Sequence, residues 1–174
     1  MRCRPALVLL PLTLVVALAA CGSDDDDGGA GPTSGEPIEL TRSGGCGDAY
    51  LWAATEDGMV AVTVAVEVPR HSTRDDTVVE VDLPDPDVEA HLLRGDRDLT
   101  GNLCTDAIDG NAEPTSTVPL TAGTGEVVTT PVPTDVDLCG EVEGRLELEG
   151  VEAEDGTRIA DISARTDDIG CYAG

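Results

Sequence analysis

An alternation of period two between residues 58 and 68 constrains the fold more than any other feature. The stretch reads GMVAVTVAVEV, and its valines recur at every second position. One face would carry Val60, Val62, Val64, Val66 and Val68, and the other Ala61, Thr63, Ala65 and Glu67. This pattern predicts a half-buried β-strand that begins after a turn at Gly58.

Similar short segments, separated by Gly, Pro, Asn and Asp, follow one another along residues 37–174. Candidate strands cover 37–42, 48–55, 77–83, 87–93, 98–103, 116–120, 125–130, 141–149, 151–154 and 157–165. Apolar residues change parity after Gly150, which predicts a bulge or sharp bend there. No convincing helical pattern occurs. We therefore predict an all-β domain, an antiparallel β-sandwich of immunoglobulin-like architecture. Its core must be aliphatic, because the chain has no Phe, one Trp and two Tyr.

The N-terminal segment has the pattern of an export signal. Arg2 and Arg4 precede an apolar stretch, Ala6–Ala20, that is shorter than the roughly 20 residues of a membrane-spanning helix. Residues 18–21 read LAAC, which resembles the lipobox of bacterial lipoproteins. That resemblance implies cleavage after residue 20 and attachment of diacylglycerol to the Cys21 sulfur. It also implies a palmitate-type anchor at the outer face of the cell membrane.

A linker is expected between the lipidated cysteine and the domain. Residues 21–36 are rich in Gly, Ser and Asp, and they contain four consecutive aspartates, Asp24–Asp27. Such a composition predicts a disordered, solvated tether. The expected organisation is thus a signal peptide at 1–20, a linker at 21–36 and a sandwich at 37–174.

Four cysteines remain for the domain: Cys46, Cys104, Cys139 and Cys171. An even number in an exported domain predicts two disulfides, and three connectivities are open. We favour Cys46–Cys171, which would tie the start of the domain to its end, together with Cys104–Cys139. No CxxC spacing supports a zinc site.

The net charge of −25 excludes nucleic acid as a partner, because binding to phosphates depends on cations. No catalytic motif surrounds His71 or His91, and no cofactor fingerprint is present. The expected role is a non-catalytic binding or scaffold module for an envelope protein or a small ligand. The alternative is an extracytoplasmic enzyme or a calcium-dependent sensor that uses Asp-rich loops.

Two groups of residues are candidates for a site. Asp82, Asp85 and Asp87 in LPDPDVE could supply calcium ligands, although the same residues form turns. Tyr50, Trp52 and Tyr172 could form a small recognition patch or simply pack in the core. The domain is similar to one in uncharacterised lipoproteins of high-GC bacteria, on GCGDAYLWA, NLCTD and IGCYAG. That resemblance implies no particular activity.

Overall fold

The computed structural model describes residues 35–47, 49–68, 76–105, 112–131 and 142–169. In these ranges the chain forms eight strands and one turn of 3₁₀ helix. The strands are β1 (Arg42–Cys46), β2 (Tyr50–Ala54), β3 (Val60–Val66), β4 (Thr77–Leu83), β5 (Val88–Arg94), β6 (Ser116–Pro131), β7 (Val142–Ala153) and β8 (Ile162–Ile169); the 3₁₀ helix is Thr100–Asn102. Every pairing between these strands is antiparallel, so the predicted fold class is confirmed.

The strands follow the order β1-β2-β3-β5-β6-β7-β8, and β4 pairs with β6 outside this path. The strands form two layers. The first contains β1, β2, β3 and β5, and the second contains β4, β7 and β8. The long strand β6 passes from the first layer to the second, because its residues 116–119 pair with β5 and its later residues pair with β4 and β7. The two ends of the path also come together. Ser43 Oγ on β1 accepts a hydrogen bond from the backbone N–H of Arg165 on β8 and donates one to its carbonyl, both at 3.3 Å. The sandwich is therefore nearly closed.

The core between the layers is aliphatic, as the composition predicts. The first layer contributes side chains such as Leu51, Val62 and Leu92, and the second contributes Val127 and Leu146, all of them fully buried. Each such side chain contributes about 1.5–3 kcal/mol relative to its exposed state. Stability thus comes from many small β-branched and Leu side chains rather than from aromatic rings.

Strand β3 is buried on both faces, not on one as its alternation predicts. Ala61 and Thr63, expected to face solvent, are 0% and 5% exposed. The covering segment is 95–105, which includes the 3₁₀ helix where a strand was predicted at 98–103. Leu99 of this segment forms a second, smaller buried cluster with Ala54, Ala61 and Leu93, and Trp52 and Leu103 pack against that cluster.

Segment 95–105 also contains a cysteine, Cys104, that forms a disulfide, and the predicted pairing of the cysteines is wrong. Cys46 at the end of β1 is bonded to Cys104, with their Cα atoms 5.8 Å apart. Neither Cys46–Cys171 nor Cys104–Cys139 can therefore form. The physical reason is that segment 95–105 folds back over the outer face of the first layer and carries Cys104 to the end of β1. Cys139 and Cys171 lie outside the described residues.

The predicted bend at Gly150 is confirmed. Gly150 has a φ of 65°, and β7 carries one more residue than β6 between the pairs Thr124–Glu149 and Ala122–Glu152. Because of the extra residue, the side chains that face the core are at even positions before the bend and at odd positions after it. Leu148 and Val151 are accordingly both buried. The segments predicted at 141–149 and 151–154 are therefore one bent strand. Those at 116–120 and 125–130 likewise belong to one strand, β6.

Candidate functional site

Two of the three residues of the predicted aromatic patch lie on strand β2. Tyr50 and Trp52 lie on the outer face of β2, and both are half-buried. A methyl group placed on Gly44 would lie 2.5 Å from Trp52 Cζ2, so the indole lies directly over the glycine backbone. Burial raises the pKa of the Tyr50 hydroxyl above its ordinary value of 10.0, and a hydrogen bond with Thr63 opposes that shift. Tyr172, the third member of the patch, lies outside the described residues.

Two of the three predicted calcium ligands, Asp85 and Asp87, form a turn. Asp85 Oδ1 accepts a hydrogen bond from the backbone N–H of Asp87 at 2.9 Å, which is the usual geometry of an Asx turn. Asp82 projects from the exposed face of β4 instead. Among the residues that the structure describes, no three His, Cys, Asp or Glu side chains come together as a metal site would require.

Of the two histidines, only His91 falls in the described ranges. It is half-buried on the outer face of β5, opposite Thr63 of β3 and Pro119 of β6. Neither neighbour is an acid that could orient the imidazole for proton transfer. His71 lies outside the described residues.

Two arginine clamps, which the sequence did not reveal, join loops to strands. In the first, the Arg42 guanidinium on β1 donates to Asp98 Oδ2 at 2.9 Å and to Thr100 Oγ1 at 2.6 Å. Thr100 in turn donates its hydroxyl and its backbone N–H to Asp98 Oδ1. These hydrogen bonds, first from Thr100 and then from Arg42, lower the pKa of Asp98 to about 2. The clamp holds the covering segment 95–105 on the first layer.

The second clamp repeats the first with another Asp-x-Thr sequence. Arg94 at the end of β5 donates to Asp155 Oδ2 at 2.9 Å and to Thr157 Oγ1 at 2.6 Å. The Thr157 backbone N–H donates to Asp155 Oδ1 at 3.0 Å. The hydrogen bonds from Thr157 are the main cause of a lowered pKa at Asp155. The shared Asp-x-Thr spacing is the signal that sequence reasoning could have used, but it does not identify the arginine partner.

The outer face of the second layer carries a shallow groove of about 310 Å³. Arg145 on β7 and Arg165 on β8 lie directly opposite each other in this groove, and Val128 on β6 is the next member of the same row. Arg145 donates to Glu126 at 2.8 Å. Glu143 also lines the groove. Because Glu126 binds Arg145 and Glu143 lines the same groove, the groove presents mixed charge rather than a simple anion site.

Strand β4 borders the same outer face. Its residues pair with β6 from Thr77 opposite Thr129 to Leu83 opposite Gly123. No second strand pairs with β4 within the described ranges. Val78 on this strand is 54% exposed, the most exposed large apolar side chain among them. An open strand edge with an exposed aliphatic side chain is the arrangement best suited to bind another chain.

Within the described residues, no helix is both long and apolar enough to cross a membrane. Comparisons with protein-family models, with curated proteins and with solved structures found no match to this chain.

Proposed function

We propose that the chain is an exported bacterial lipoprotein whose β-sandwich serves as a non-catalytic binding module at the outer face of the cell membrane. The observation that carries this proposal is the position of Cys21. It follows Leu18, Ala19 and Ala20 at the end of an apolar segment and precedes an acidic linker. Two acyl chains on this cysteine would provide stable anchoring, which a single chain does not.

The disulfide of the domain supports export of the protein from the cytoplasm. Disulfides persist in oxidising compartments and are rare in the cytosol. The bond between Cys46 and Cys104 therefore fits a domain that is folded outside the cytoplasm. The net charge of −25 supports a lipid anchor over an electrostatic one, because such a chain is repelled by anionic headgroups.

The surface of the domain supports a binding role. Within the described ranges one edge of β4 has no partner strand, and it lies beside a face that carries both arginines and carboxylates; both features can contact a protein partner. The partner would bind the domain that follows the acidic linker expected at residues 21–36.

Replacement of the lipidated residue tests the anchor. The full-length chain and its Cys21→Ser variant are expressed in a bacterial host, and the membrane fraction is partitioned between a detergent phase and an aqueous phase. We expect the parent chain in the detergent phase and the variant outside the membrane fraction or in the aqueous phase. Cys3→Ser is the matched control, because Cys3 lies in the leader and should not affect anchoring. Retention of the Cys21→Ser variant in the detergent phase would contradict the proposal.

A further inference from the structure

The edge of β4 differs from the ends of the main path of strands. Strands β1 and β8 lie side by side, and Ser43 bonds both backbone groups of Arg165 across the gap. Strand β4 branches from β6 and has seven residues, paired along one edge only in the described part of the chain. The backbone N–H and C=O groups on its other edge can accept an added strand.

The two faces of β4 define what an added strand would contact. Val81 and Leu83 are buried in the core, and Val79 is half-buried at its rim. On the opposite face, Val78 is 54% exposed and Glu80 is also exposed. An added strand would therefore cover aliphatic surface on both sides of the sheet, beside Val78 on one and Val79 on the other.

The charge of the residues on β4 indicates which kind of strand would bind there. Asp76, Glu80 and Asp82 are exposed along β4 and its approach, and no described cation forms an ion pair with any of them. A second copy of this chain would place its own carboxylates against these, in a molecule whose net charge is −25. A basic segment would instead place opposite charges across the new strand pair, where such pairs are stabilising.

We propose that the free edge of β4 binds an extended basic segment of another protein by strand addition. The segment alternates Lys or Arg, beside Glu80 and Asp82, with aliphatic residues, beside Val79. This inference rests on the proposed role as a binding module and names the class of its partner. It is tested on binding alone, so it can fail while the membrane anchor holds.

The test measures fluorescence anisotropy of a labelled heptapeptide of alternating Lys and Val, added to the full chain in non-ionic detergent. Two control peptides separate strand pairing from general attraction to an acidic protein. One has the same residues with alternate backbone nitrogens methylated, and the other has Glu in place of Lys. We expect saturable binding of the first peptide, binding at least about tenfold weaker for the methylated one because it lacks the backbone donors, and none for the acidic one.

A matched pair of variants locates the site. Glu80→Arg with Asp82→Arg should weaken binding about tenfold, because two cross-strand attractions become repulsions. The control variant, Glu56→Arg with Glu154→Arg, changes the net charge by the same amount at exposed turn positions that are not on β4. It should change the affinity for the peptide less than about twofold. Equal melting temperatures would show that both variants fold.

Three results would overturn the inference. The methylated peptide could bind as well as its parent, or the two variant pairs could lose affinity equally, and either would mean general charge attraction. A stable dimer in light scattering that Val78→Arg dissociates would mean that a second copy occupies the edge.

Discussion

The disulfide between Cys46 and Cys104 allows a quantitative prediction about stability. The two residues are 58 positions apart. In the chain-entropy relation, closing a loop of that length in the unfolded state stabilises the folded state by about 4 kcal/mol at 25 °C. Replacing both cysteines by alanine should therefore lower the free energy of unfolding by about that amount, a large part of the 5–15 kcal/mol typical of a small domain.

A second readout follows from what the disulfide holds in place. Trp52 is the single tryptophan of the chain, and it packs against the small apolar cluster that contains Leu99 of the covering segment. Loss of the bond to Cys104 releases the end of this segment, so Trp52 should gain contact with water and its emission should shift to the red. Urea titration followed by circular dichroism measures the free energy of unfolding. The emission spectrum of the folded protein measures the exposure of Trp52 to water.

The control for both readouts is Val78→Ala, which truncates an exposed side chain on β4. It should cost less than about 1 kcal/mol and leave the emission of Trp52 unchanged. The reasoning fails if the double cysteine variant loses less than about 1 kcal/mol, or if its emission matches that of the parent chain under native conditions.

Three further predictions concern other parts of the domain. Gly44→Ala places a methyl group 2.5 Å from the Trp52 ring, so chemical denaturation should show a loss of about 1–3 kcal/mol, and a loss near zero would mean that the ring does not lie on the glycine. The pKa of Asp98 is about 2 in the folded chain against an ordinary value of 3.8, so its contribution to stability is complete above about pH 4 and is lost as the pH falls toward 2. The difference in melting temperature between the parent and Asp98→Asn should therefore be constant above about pH 5 and shrink below pH 4; a difference that is undiminished at pH 2 would contradict this. Because the other two domain cysteines are joined, we expect Cys139 and Cys171 to pair, so the denatured, non-reduced mature chain should show no free thiol; two reactive thiols would refute that pairing.

The all-β class and the bend at Gly150 could be predicted because both depend on local patterning. Apolar residues at every second position of β3 and β7 indicate which side chains face the core. A shift of that pattern by one residue indicates a bulge. Strand β1 was not predicted in its place, because RSGGC carries no apolar alternation. It is a strand only because β2 pairs with it along its whole length.

The disulfide and the arginine clamps could not be predicted, because each depends on which loops meet in space. Nothing local in segment 95–105 shows that it lies on the outer face of the first layer. Once it does so, Leu99 covers Ala61, and Cys104 reaches Cys46. The edge of β4 could not be predicted for the same reason, since its pairing on one side only, among the strands that the structure describes, is a property of the sheet order.

Mass spectrometry of the membrane-extracted protein tests the central claim most directly, because it reads the N-terminus of the mature chain. We predict that the first residue is Cys21 and that its sulfur carries a diacylglyceryl group, with residues 1–20 absent. A mature chain that begins at any other residue, or an unmodified thiol at Cys21, would contradict the account.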